Sequence, residues 1–139
     1  MEQAIELCRA AITEAVAAEE DSALAHASFI LDWALFDSGR PQEATHSHRS
    51  LEIYERHGEF DRQAAVLNNL GGFAYHEGRW DDAVELYRRA AEVSARAGDV
   101  ANAAFGDCNV GEVLSDQGRW AEAERALRQA LRILSLIHI

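Results

Sequence analysis

The 139-residue sequence predicts an all-α protein, an α-solenoid of antiparallel helical hairpins with about seven helices. Three observations carry this expectation. The segment GRWDDAVELYRRA, Gly78 to Ala90, returns forty residues later as GRWAEAERALRQA, Gly118 to Ala130, and a fixed period of that length marks stacked repeats. Glycine punctuates the chain regularly: Gly39-Arg40, Gly78-Arg79 and Gly118-Arg119 are 39 and 40 residues apart, with Gly58-Glu59 and Gly98-Asp99 between them. Between these marks apolar residues recur at three and four, as in Ala83, Leu86, Tyr87, Ala90 and again Ala123, Ala126, Leu127, Ala130. That is the period of a helix with one buried face.

Each element follows in order. A shift of 79 residues lays MEQAIELCRAAITEA on WDDAVELYRRAAEVS, Ala4 on Ala83 and Leu7 on Leu86, so residues 1–19 are expected to be the second helix of an incomplete leading repeat. Residues 22–58 form a degenerate first repeat whose corresponding positions are Asp32, Gly39, Ala44, His48 and Leu51. There Pro41 opens the second helix, where its missing N–H does no harm. Residues 61–98 and 101–134 are the second and third repeats. Their first helices match, with Leu67, Leu70, Gly71 and Ala74 against Asp107, Val110, Gly111 and Leu114. Gly71 and Gly111 are expected to let one helix backbone approach the other, with Ala83 and Ala123 small from the opposite side. Gly78 and Gly118 fall where a left-handed cap is expected. Trp80 and Trp120 follow as wedges between neighbours or as large core residues. LSLIHI, 134–139, drops the Ala/Arg/Glu idiom. One back-translation is CTG TCT CTT ATA CAC ATC, which resembles a transposon mosaic-end adapter, so a non-native tail is expected, with a native apolar last turn as the alternative.

Small residue, glycine, alanine, aromatic, alanine is the order of the second repeat, in Gly71, Gly78, Ala83, Tyr87 and Ala90; the third has Gly111, Gly118, Ala123, Leu127 and Ala130. This pattern resembles the tetratricopeptide repeat, in its long-period form of about forty residues. The resemblance implies a right-handed superhelix whose first helices line a concave, ligand-binding groove. The idiom LNNLG followed by GRW is similar to arrays attached to nucleotide cyclases, signalling ATPases and transcription activators of high-GC bacteria.

Composition narrows the partners. The charge is −11, from 24 acids against 13 bases, all of them arginine, so a phosphate backbone would be repelled and neither nucleic acid nor an anionic membrane suits it. The start lacks a signal-peptide pattern and no apolar run approaches membrane-spanning length, so a cytoplasmic location is expected. Cys8 and Cys108 have no CxxC or Cys/His spacing and are expected to be inert, part-buried thiols.

No constellation for catalysis emerges, and neither an enzyme nor a cofactor is expected. There is no GxSxG elbow, and Gly71 to Phe73 lack the lysine and hydroxyl of a phosphate loop. Acid pairs such as Asp81-Asp82 and Glu19-Glu20 suit helix starts or solvated faces. His46 and His48, two apart on a helix, point in different directions and lack a third ligand, so no metal site is expected. His57 is expected to meet the carbonyls of a helix end.

The resemblance places the groove at Ala65, Asn68, Asn69, Gly72, Tyr75 and His76 in the second repeat, and at Phe105, Cys108, Asn109, Glu112, Ser115 and Asp116 in the third. In the first it gives His26, Phe29, Ile30, Trp33, Phe36 and Asp37. Asn69 and Asn109 share one slot, where the family's asparagine clamps the backbone of an extended peptide; bonding to its own scaffold is the alternative. Trp33 and Phe36 add an apolar shelf, or pack on the leading helix. No arginine falls on these positions, and Glu112, Asp116 and Asp37 make one side acidic, which favours a neutral or basic peptide over a terminal carboxylate. The expected role is a protein–protein interaction scaffold from a larger bacterial signalling or regulatory protein. The alternative is an intramolecular module that packs on an effector domain or self-associates.

Overall fold

The computed structural model describes residues 1–137, and among them seven α-helices pack as sequential antiparallel pairs. They are α1 (Glu2–Ala17), α2 (Asp21–Asp37), α3 (Ser47–His57), α4 (Phe60–His76), α5 (Trp80–Arg96), α6 (Val100–Asp116) and α7 (Trp120–Ile137). A short 3-10 turn, Pro41–Glu43, precedes α3. The chain divides into two compact units, Met1–Arg62 and a second from Gln63 onward.

One turn design closes six helices. After each, a residue with positive φ lets the next amide bond back five residues: Glu20 to Ala15, Arg40 to Leu35, Glu59 to Tyr54, Arg79 to Ala74, Asp99 to Ser94 and Arg119 to Leu114, all at 2.8–3.0 Å. This is the Schellman closure, which satisfies carbonyls that the helix leaves open. Glycine holds the left-handed position in five of the turns, with φ between 67° and 79°, and Gly78 and Gly118 behave as the sequence predicts. The first turn instead uses Glu19 at φ 56°, where a side chain is strained.

The arginine after three of these glycines pairs with an acid in the turn that follows, the first turn of α5 or α7 for Arg79 and Arg119 and the 3-10 turn for Arg40. Arg79 reaches Asp82 at 2.8 Å, Arg119 reaches Glu122 at 2.7 Å, and Arg40 reaches Glu43 at 2.6 Å. Each acid stands in a first turn, where helix N–H groups also favour it, and the arginines hold the Glu43 and Glu122 carboxyls below the usual range. Two of these arginines reach further back as well, Arg40 to Glu2 at 3.0 Å and Arg119 to Asp81 at 3.6 Å.

In the first unit, Ile5 of α1 is buried with Leu31, Ala34 and Leu35 of α2, and Cys8, Ile12 and Ala44 close over them. Ala4 and Leu7, matched in sequence to Ala83 and Leu86, are exposed. The second helix of this unit departs from expectation: Pro41 opens only the 3-10 turn, and α3 begins at Ser47. The late start puts His48 at the surface, while Ser47, Ser50, Leu51, Ile53 and Tyr54 take the buried face.

In the second unit, Ala74, Ala83, Val84, Tyr87, Val110, Val113, Leu114 and Ala123 form a continuous core, and Ala90 and Ala130 are buried beside it. The crossing glycines admit side chains rather than backbone. A Cβ on Gly71 would meet the Tyr87 ring at 2.9 Å, and one on Gly111 would meet Leu127 Cγ at 2.6 Å. The close backbone approach lies instead between repeats, where a Cβ on Gly106 would stand 2.7 Å from Ala91 Cβ and 3.1 Å from its Cα. Trp80 and Trp120 are not core residues: as first residues of α5 and α7 they are 37% and 69% exposed.

Candidate peptide-binding face

Within the second unit, the predicted groove residues of α4 and α6 are all exposed or half-buried, because the buried stripes of those helices fall on other positions such as Leu67, Leu70, Val110 and Leu114. Two side-chain bonds join the helices across this face. Asn109 Nδ2 donates to Asn68 Oδ1 at 2.9 Å, and the Tyr75 hydroxyl donates to Asp116 Oδ2. These are the predicted site residues that the structure brings together.

The Asn68–Asn109 bond answers part of the asparagine question. Asn109 bonds scaffold, and its partner is Asn68 rather than the repeat-equivalent Asn69, which is half-buried. An amide carries two N–H groups and an oxygen with two lone pairs, so one mutual bond leaves each of the pair with capacity for a peptide. The Tyr75 phenol is pushed up to about 12, first by its bond to Asp116, then by burial and the charges of Asp116 and Glu112. His76 packs edge-on against Tyr75, with ring centroids 5.8 Å apart. Phe105 is 58% exposed, and Glu112 is exposed one turn from Asp116. Burial pushes the Asp107 carboxyl and the Cys108 thiol up, which keeps that thiol protonated and a poor nucleophile.

Trp33 and Phe36 stand on α2 in the first unit, Trp33 half exposed and Phe36 half-buried. There the Arg62 guanidinium lies 3.0 Å from His26 Nδ1, so a positive charge does reach a predicted groove position, from a residue that occupies none. His57 lies between two carboxylates, 3.7 Å from Asp21 and 3.6 Å from Glu59.

His46 does not share a helix with His48. It precedes α3, and its ring Nδ1 lies 2.8 Å from Asp32 Oδ1. Asp32 is fully buried and also accepts the amides of His46 at 2.7 Å and Ser47 at 2.6 Å, so an aspartate at the crossing position caps α3 from across the pair. Its signal in the sequence was a carboxylate at the slot where the other repeats have glycine. Among the described residues no three of His, Cys, Asp and Glu gather as a metal-binding group, and no helix is long and apolar enough to cross a membrane.

Helix pairs joined by one repeated turn, with glycine at the crossings of the second unit, define a helical-repeat protein. A tetratricopeptide repeat model matches residues 62–135, and the chain belongs to that family. Its fold is similar to the crystal structure of BtubC (BKLC) from P. vanneervenii, with a TM-score of 0.89 and 23% identity over 99% of this chain. The match covers 58% of the BtubC chain, so this chain spans little more than half of its length. No curated protein sequence matches. Repeats of this family generally mediate protein–protein interactions.

Proposed function

We propose that the chain is a protein–protein interaction scaffold, part of a larger bacterial signalling or transcription-regulatory protein, that binds an extended neutral or basic peptide. Repeats 22–58, 61–98 and 101–134 are its units. The observation that carries this reading is the joined α4–α6 face. Asn68, Asn109, Tyr75 and Asp116 are linked in pairs across it, with exposed Phe105 and Glu112 alongside. Preorganised amides match peptide N–H and C=O groups, the aromatic rings offer apolar contact, and the two acids select a cationic side chain.

A phage-displayed library of extended peptides, selected on the chain, tests this. Selected peptides should be enriched in arginine or lysine and lose binding to the Asn68→Ala/Asn109→Ala variant and to Glu112→Gln/Asp116→Asn, with helical content unchanged. Binding that survives both variants would reject the face. In the alternative reading, the array packs on an effector domain of its own parent. The uncovered apolar residues of α7 favour it, and the complete reading frame tests it.

A further inference from the structure

Tyr87 carries an unused hydroxyl from α5 to the face that α4 and α6 share. Its ring lies in the core with Val110, Val113 and Leu114, where a Cβ on Gly71 would meet it at 2.9 Å, and a Cβ on Gly72 would stand 3.6 Å from the hydroxyl oxygen. The residue is 8% exposed, and among the described residues nothing hydrogen-bonds to that oxygen. A buried hydroxyl without a bond keeps the cost of its lost hydration, which points to a partner from outside the fold.

The hydroxyl opens into a slot. Asn68, Gly72 and Tyr75 share one stripe of α4, and Asn109, Glu112 and Asp116 share one of α6. The Asn68–Asn109 and Tyr75–Asp116 bonds leave Gly72 and Glu112 between them, and Gly72 has no side chain to fill the interval. Neither other repeat pairs a glycine with a phenol at these positions: the third has Glu112 and Leu127, the first Trp33 and His48. The slot is rich in acceptors. Glu112 is exposed with no cationic partner among the described residues, and Asp116 engages Tyr75 through Oδ2 alone. Burial and then the charge of Glu112 push the Tyr87 phenol up, so it stays protonated at neutral pH within the field of that carboxylate. No arginine stands on either stripe.

We propose that this slot seats an arginine side chain of the bound peptide, with the Tyr87 hydroxyl selecting arginine over lysine. The inference rests on the peptide-binding reading above. A guanidinium is planar, so it enters a gap one side chain wide beside the Tyr75 ring, where an aromatic face favours a cation. Its five N–H donors, held in a fixed fork, address the Glu112 carboxylate, the second Asp116 oxygen and the Tyr87 hydroxyl together. A lysine ammonium is a compact, strongly hydrated charge that the two exposed carboxylates satisfy at the surface, so the hydroxyl beneath them adds nothing to its binding.

N-acetyl-arginine methylamide, titrated into the 139-residue chain and followed by nuclear magnetic resonance at the Gly72 amide, tests this. The expected result is a saturable shift, with affinity at least about fivefold weaker for the lysine analogue and no shift for the neutral citrulline analogue. Tyr87→Phe removes no hydrogen bond of the fold, so helical content should stay unchanged while the arginine probe weakens at least about fivefold and the lysine probe does not. A Gly72 amide that ignores the arginine probe, a citrulline or lysine analogue that binds equally, or a Tyr87→Phe chain that holds arginine as the parent does would each overturn the proposal. The peptide reading fails separately. A library selection that yields no peptide would sink that reading whatever the probe does, whereas selected peptides indifferent to exchange of arginine for citrulline would sink the arginine slot alone.

Discussion

Asp32 closes the N-terminus of α3 from the helix before it, accepting the His46 amide at 2.7 Å while its other oxygen meets the His46 ring at 2.8 Å. A buried carboxylate thus does the work that a capping residue does from within the turn. It explains why the first repeat reads as degenerate: the crossing position that is Gly71 or Gly111 elsewhere holds a residue that reaches across the pair.

Asp32→Ala leaves two amides near the start of α3 without an acceptor, and hydrogen bonds to a buried charge are worth about 1.5–3 kcal/mol each. The variant should lose about 3 kcal/mol and melt roughly 10 °C lower. A melting point within a degree or two of the parent would show that Asp32 is not the cap. Ser47, also at that start, has a buried hydroxyl with no hydrogen-bond partner among the described residues, and Ser47→Ala should be neutral or stabilising by up to about 1 kcal/mol.

The strained first turn gives a prediction of opposite sign. Glu19 holds at φ 56° the conformation that Gly98 holds at φ 79°, and a left-handed backbone costs a side-chain-bearing residue about 1–2 kcal/mol. Glu19→Gly should therefore stabilise the chain by roughly 0.5–1 kcal/mol after the entropy of the freer unfolded glycine, and Gly98→Ala should destabilise it by about 1 kcal/mol. Urea denaturation of the two variants checks both signs.

Much of the architecture was legible because two signals agree in the second and third repeats: glycine at a fixed interval and alanine on one helical face. Gly78, Gly118, Ala83, Ala123, Ala90 and Ala130 all stand where the pattern puts them. The misses share a physical cause, since each depends on a contact between residues far apart in sequence. Nothing local distinguishes a tryptophan that starts a helix in solvent from one that wedges into a core. The Asn68–Asn109 bond spans 41 positions and joins two different slots, so a comparison of equivalent slots selects Asn69 instead. The 3-10 turn after Pro41 depends on Asp32 holding the start of α3 further on.

Gly106 was also missed, and it tests where the helices are tightest. In a helix interior glycine to alanine gains about 1 kcal/mol from propensity alone. At Gly106 the new methyl would meet Ala91 at 2.7 Å, so Gly106→Ala should instead cost about 1–3 kcal/mol. Adding Ala91→Gly should recover most of that loss in a double-mutant cycle. Additive effects would count against the contact.

Tyrosine titration gives a pH-dependent test. All three tyrosines are shifted upward: Tyr75 to about 12 by Asp116, and Tyr54 and Tyr87 chiefly by burial. A phenol raised in the folded chain holds its proton more tightly there than in the unfolded chain. Its contribution is complete below the ordinary value of 10.0 and is lost as pH rises toward 12. Stability should fall across that interval, and tyrosinate absorbance should rise together with loss of helix rather than before it. Tyr75→Phe should flatten part of the decline; an unchanged slope would show that the Asp116 bond does not act in solution.

Helices α2, α4, α5 and α6 each contain 17 residues, a rod of about 25 Å. Because each residue turns a helix by about 100°, an insertion of one amino acid at mid-rod would swing every later alanine away from its seat. Single-residue changes of length therefore belong outside these rods: the intervals of 39 and 40 residues between Gly39, Gly78 and Gly118 differ by one, while the 17-residue helices keep one length.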